Sequence, residues 1–381
     1  MSLVSKIASA AAWTLCGLLP VKKKKIVASS FYGRGYSDNP KAIVEELRKR
    51  GEDLDLVWLT KPGQENTLPE GVRAVRYDSV KRIYELATAK VWIDNCRKGA
   101  PKKRKGQFYL QTWHGLALKR IEKDAATKLG DDYTPYAMRD AKQTDLIISN
   151  CAHMTRIYKT GFWYGGEVLE TGSPRNDLLF ANPMPLREKV REVYGLPQDR
   201  KLVLYGPTFR ADHSLDAYRL DAEKLLSALH DRFGGEWTLL ARLHPAVEEL
   251  SSQVFTYDGK TVCNATAYPD ITELLAACDC VITDYSSLMF DFALTGRPCF
   301  QFATDLAAYL EDRNFYFPLT KLPFPCAEDN AALAENIRNY SEAEQKARWE
   351  IFNQDFGLME DGKAASRCAD LILAKVKGTK K

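Results

Sequence analysis

Two histidines stand where apolar runs end. "QTWHG" puts His114 and Gly115 just after Phe108–Thr112, and "ARLHP" puts Arg242 and His244 at the end of Thr238–Leu243. An imidazole can take or give a proton near neutral pH. Two of them at strand ends, in opposite halves of the chain, suit one general base and one phosphate ligand. A third segment, "VITDYSSLMFDF" from Val281 to Phe292, passes from a strand into a helix that begins at Ser286 or Ser287. The first N–H groups of a helix lack internal partners and carry partial positive charge, and two hydroxyls beside them complete a site for a phosphate oxygen. Asp284 there either caps the helix or takes a sugar hydroxyl. A plain N-cap without any ligand is the competing reading. "YGPTFR" ends another strand with Thr208 and then Arg210, and "GSPRND" sets Arg175, Asn176 and Asp177 in a polar turn. His153, His213 and His230 lack such surroundings and read as structural.

The elements that must carry these residues alternate. Strands are expected at 26–29, 56–60, 72–77, 91–94, 108–112, 146–149 and 168–171, then at 202–205, 238–243, 281–283 and 299–302. Helical patterns such as "NPKAIVEELRKRG" lie between many of them, there with Asn39 and Pro40 at the start and Gly51 at the stop. Nearly continuous apolar strands alternating with helices imply parallel sheets covered on both faces. The Pro-rich connection around Asn182–Pro185 marks a boundary. The expected order is a segment 1–24, a first Rossmann-like domain 25–182, a second 183–345, and C-terminal helices 346–381 packing across both. Two doubly wound α/β domains facing one cleft resemble the GT-B arrangement of glycosyltransferases. Ligands then sit beyond the carboxyl ends of strands.

Composition narrows the classes. The 381 residues carry 54 Lys+Arg against 50 Asp+Glu, a net charge of +4. The basic runs Lys22–Lys25 and Lys102–Lys105 lack interleaved aromatics, which speaks against nucleic acid as a partner. Nine cysteines without regular spacing indicate a reducing compartment. No acidic cluster has metal-ligand spacing. Ile7–Leu19 is apolar but too short to span a bilayer. With the lysines that follow, it reads as an amphipathic helix lying on an anionic membrane surface. Packing on the protein itself is the alternative.

The motifs together resemble the CDP-glycerol glycerophosphotransferase family of teichoic acid and capsule synthesis. The resemblance rests on "QTWHG", "GSPRND", "PTFR", "RLHP", "TDYSSLMFDF" with "RP" after it, and "DGKAASR" from Asp361, with weaker echoes in "SDNPKA" and "VWIDN". It covers about residues 26 to 370. Leu116-Ala117 stand where the family often has Thr-Pro, and Gly206, Phe209 and Ala211 depart from its "YAPTWRD". The resemblance implies a GT-B enzyme that moves polyol phosphate, not sugar, from a CDP-polyol donor to a hydroxyl of an undecaprenyl-diphosphate-linked acceptor, releasing CMP. It implies His114 as base. His244, Ser286 and Ser287 would meet the charge on departing CMP, with Thr208, Arg210, Arg242, Asp284 and Tyr285 around the donor. Gly115, Arg175, Asn176 and Asp177 would act on the acceptor side, and Asp177 and Asp284 would orient histidines or hydroxyls. A helix terminus with cations can replace Mg²⁺, so no cofactor is required and any Mg²⁺ would bind loosely. The enzyme would work peripherally at the cytoplasmic face of the membrane. A CDP-ribitol donor and a nucleotide-sugar glycosyltransferase are the alternatives. Primase against polymerase, and homo-oligomer formation, stay open.

Overall fold

The computed structural model describes residues 11–98, 102–210, 215–307, 309 and 315–378. The alternating pattern folds into two compact units. Residues up to Gly115, with Ile121–Asp177 and Gly357–Lys381, form the first; Leu116–Arg120 and Leu178–Phe356 form the second.

In the first unit β1 (Lys22–Ser29), β2 (Asp55–Thr60), β3 (Val72–Arg76), β4 (Ala89–Asp94), β5 (Phe108–Gln111), β6 (Leu146–Ser149) and β7 (Glu167–Glu170) make one sheet. Its order is β3-β2-β1-β4-β5-β6-β7, and every pairing is parallel. The order reverses between β1 and β4, so the crevice at their carboxyl ends is a topological switch point. Helix Asp38–Lys49 buries Ile43, Val44 and Leu47 against Ile26, Trp58 and Val91. The C-terminal helix Ala364–Lys377 buries Cys368, Ala369 and Ile372 in the same core.

The second unit pairs β8 (Lys201–Tyr205), β9 (Trp237–Ala241), β10 (Val262–Asn264), β11 (Cys280–Thr283), β12 (Cys299–Phe302) and β13 (Cys326–Ala327) in the order β10-β9-β8-β11-β12-β13. All of these pairings are also parallel. The eleven expected strands form, ten of them with edges shifted by two residues at most and β1 with its start four residues early, at Lys22. β10 and β13 were not expected, being three and two residues long, too short for a periodic signal.

The linear division at residue 182 shifts to the Asp177–Leu178 step. The expected block 346–381 is split: helix Glu342–Phe356 stacks Phe352 on Phe290 at 5.3 Å in the second unit. A turn at Gly357 (φ +61°) leads to the helix of the first unit.

The basic patch expected in the N-terminal segment does not form at Lys22–Lys25. Residues 11–17 are helical, whereas Ile7–Ala10 lie outside the described residues. Trp13 packs edge-on against Trp92 at 6.4 Å, while Leu15 and Leu18 are 68% and 82% exposed. The helix therefore packs on the protein along one side and leaves leucines exposed on another. The lysine run Lys22–Lys25 is not a free basic patch. It opens β1, where Lys25 is buried in an ion pair with Glu85 and Lys24 pairs with Asp53. Lys22–Lys24 are exposed and Lys25–Ser29 buried, so Lys25 stands where the strand enters the core, and the buried Glu85 is there to meet it.

Candidate active site

His114 sits in a tight turn just after β5. Trp113 has φ +49° and Gly115 φ +133°. The first is costly for a bulky side chain, about 1–3 kcal/mol; the second is a conformation that glycine adopts readily and other residues rarely do. The turn is held from several sides. Gln111 Oε1 accepts from the Trp113 N–H at 2.9 Å. The Trp113 carbonyl accepts from Thr112 Oγ1 at 3.0 Å and from Asn39 Nδ2 at 3.1 Å. The His114 ring stacks on Trp113 at 4.4 Å and meets Phe31 at 5.6 Å. Phe31, Tyr32 and Asp38 also have positive φ, so backbone strain gathers around this histidine.

Its Nδ1 lies 2.7 Å from the carbonyl oxygen of Asn95. A carbonyl only accepts, so the proton is on Nδ1 and Nε2 keeps its lone pair. Burial lowers the imidazole pKa; the bond to Asn95 and the charge of Asp38 oppose this without reversing it. A neutral ring with Nε2 as acceptor is a general base ready at neutral pH.

Arg175 adjoins this site. Its Nη1 pairs with Asp38 at 2.7 Å and its N–H donates to Asn39 Oδ1 at 3.1 Å. Asn176 and Asp177 of "GSPRND" bond to the C-terminal part of the same unit. Asn176 Nδ2 donates to Glu360 at 3.0 Å. Both Asp177 oxygens accept from the N–H groups of Ala364 and Ala365, at 2.9 and 2.7 Å, and cap the C-terminal helix. A polar cavity of about 10 Å³, room for one water, lies beside the turn and is lined by Asn39, Thr112, Gly115, Asn150 and Ser173 among others.

In the second unit the "TDYSS" junction divides by depth. Thr283, Asp284 and Tyr285 are buried; Ser286 and Ser287 are half-buried. Thr283 Oγ1 donates to the Gly206 carbonyl at 2.7 Å. Asp284 accepts from the Thr208 N–H at 2.8 Å and from Arg210 Nη2 at 2.8 Å. Tyr285 stacks on Tyr309 at 3.8 Å and donates to Asp305 at 3.0 Å. The helix that follows is Leu288–Ala293, only six residues. Ser286 Oγ accepts from the Leu288 N–H at 3.4 Å, as a cap at the start of this short helix would.

Arg210, expected at the donor phosphate, is instead the centre of a buried cluster. Its Nε and Nη2 reach both oxygens of Asp305 at 2.6 and 2.9 Å, besides Asp284. Burial pulls the guanidinium pKa down, but the two carboxylates outweigh it and raise it. Arg242 is likewise tied into the fold. Its Nη1 donates to the carbonyls of Ala265, Thr266 and Tyr268 at 2.9, 3.0 and 2.6 Å, pinning the loop after β10. His244 is exposed, with Phe209 4.7 Å from its ring. β8 separates its strand from β11, so the two are not neighbouring strands. The loop after β8 links them: Thr208 bonds Asp284 and Phe209 meets His244.

Sequence reasoning missed Asp305, Tyr309, Phe31 and Glu360. Only Asn39 and Asn95 had a trace, in "SDNPKA" and "VWIDN". Among the described residues no group of three His, Cys, Asp or Glu could hold a metal ion.

Comparison with known proteins fits this geometry. The family described as CDP-Glycerol:Poly(glycerophosphate) glycerophosphotransferase matches residues 12–374. The teichoic acid poly(glycerol phosphate) polymerase of Staphylococcus epidermidis is 32% identical over 94% of this chain and 51% of its own length. The chain thus spans about half the length of that relative. The teichoic acid glycerol-phosphate transferase of Staphylococcus aureus is 32% identical, over 92% of this chain and 93% of its own. A structure of the wall teichoic acid polymerase TagF superposes with TM-score 0.84 at 30% identity, covering 98% of this chain and 96% of that one. The chain belongs to the CDP-glycerol glycerophosphotransferase family.

Proposed function

We propose that this chain transfers glycerol phosphate from CDP-glycerol to a hydroxyl of a lipid-linked acceptor, releasing CMP. The observation that carries it is His114 held as the Nδ1–H tautomer with Nε2 basic. The acceptor hydroxyl attacks phosphorus of the glycerol phosphate group. A new O–P bond forms, the P–O bond to CMP breaks with its electron pair, and the hydroxyl proton passes to Nε2. His114 is the base in this reading. Ser286, Ser287 and His244 carry N–H and O–H groups that suit the phosphate of departing CMP. Relatives named for glycerol phosphate, and a TagF variant soaked with CDPG, support the donor. The test is CMP release from CDP-glycerol against UDP release from UDP-sugars, with CDP-ribitol as a third donor; turnover of a UDP-sugar alone would sink the reading.

Attachment to the membrane is part of this proposal. Among the described residues no helix is long and apolar enough to cross a membrane. Arg104 Nη1 donates to the Leu19 carbonyl at 2.8 Å, which brings the 102–105 basic segment to the exposed Leu15, Leu18 and Leu19. Exposed apolar side chains with a cation beside them suit an anionic surface at the cytoplasmic face. Replacing the three leucines by Ser should release the protein from phosphatidylglycerol vesicles in sedimentation. Unchanged binding would show that this patch does not dock.

A further inference from the structure

The carbonyl that fixes the His114 tautomer belongs to the turn after β4, and a buried ion pair closes that turn. Lys98 Nζ lies 2.5 Å from Asp94 Oδ2, with both side chains almost wholly withdrawn from water. Ser29 Oγ joins the same carboxylate at 2.5 Å and lies 3.4 Å from Nζ. Asp94 and Ser29 are register partners on β4 and β1, the strands of the switch point. The other Asp94 oxygen accepts from the Cys96 N–H at 3.0 Å, and the Lys98 N–H donates to Asp140 at 2.7 Å.

A pair this deep contributes little net stability, because desolvating both ions offsets their attraction. What it does is fix the turn. The carbonyls around Asn95 are each taken up: Asp94 by the Thr112 N–H, Cys96 by Gln111 Nε2, Arg97 by the Tyr136 hydroxyl. The Asn95 carbonyl alone of these goes to an imidazole, the side chain that titrates near neutral pH.

We propose that Lys98 is a positioning residue for His114: by closing the turn on Asp94 and Ser29 it aims the Asn95 carbonyl at Nδ1 and keeps the proton off Nε2. The inference rests on the reading of His114 as the base, but its test does not require turnover. The whole chain is labelled with ¹⁵N-histidine, and the His114 signals are identified by their loss in His114→Ala. The parent should show His114 as the Nδ1–H tautomer. Lys98→Met keeps the stem and removes the charge; it should show both tautomers, with kcat down about tenfold and the donor KM within about twofold. Where Lys98→Met does not fold, the double variant Asp94→Asn/Lys98→Met leaves no orphan charge and should show the same mixture. A pure Nδ1–H signal with parental kcat in either folded variant overturns the proposal. Mixed tautomers in a variant, with CMP released by neither variant nor parent, would support the positioning role and sink the proposed reaction.

Discussion

His114 Nδ1 sits 2.7 Å from the Asn95 carbonyl oxygen, and that contact assigns the proton and leaves Nε2 basic. Burial under Phe31 and Trp113 then lowers the ring's pKa below its ordinary 6.5. The acid limb of kcat/KM should therefore lie below pH 6.5. The sign for stability follows: the unfolded chain takes up this proton first, so the contribution is present above pH 6.5 and is lost as pH falls through the folded pKa. Phe31→Ala admits water to the ring and should move the acid limb up towards 6.5. A pH–rate profile of the two proteins checks this, and an unchanged limb would show that burial does not set it.

Arg210 is predicted to matter for folding before it matters for catalysis. Removing it leaves the buried Asp284 and the partly buried Asp305 without their cation. Arg210→Ala should lose about 3–5 kcal/mol of stability, read by urea unfolding. A loss under about 1 kcal/mol, in the range of a surface ion pair, would return Arg210 to the list of phosphate ligands.

Ser286 and Ser287 stand where the buried Thr283–Tyr285 stretch ends and solvent begins. Replacing both by Ala should weaken CMP binding by about 1–3 kcal/mol, since a phosphate oxygen would be left under-bonded. His244→Ala should weaken it more. Calorimetry with CMP decides: parental affinity in both variants would mean the junction only organises the loop after β8.

Much of this was legible in the sequence, for a physical reason. Parallel strands buried on both faces leave apolar runs that declare themselves, so β2 to β9, β11 and β12 were expected within a residue or two, while the exposed lysines that open β1 hid its first four residues. His114 and Gly115 were legible because a strand end followed by glycine is a local signal. The partners of these residues were not. Asp305 is 95 residues from Arg210 and Glu360 is 184 from Asn176, and only the fold brings them together. The same blindness hid the partners of Arg210, Arg242 and Asp177: a sequence shows a charged side chain but not the partner it already has. Lys25 failed likewise, because a run of lysines reads as surface until the strand carries its last one into the core.

The most direct test is to compare CMP release from CDP-glycerol by the parent and His114→Ala, with a lipid-linked disaccharide as acceptor and CMP affinity measured alongside. Loss of a positioned general base should slow release by about 10²–10⁴-fold while CMP affinity stays near that of the parent. Release within a few-fold of the parent would contradict the assignment of His114 as the base on which the account rests.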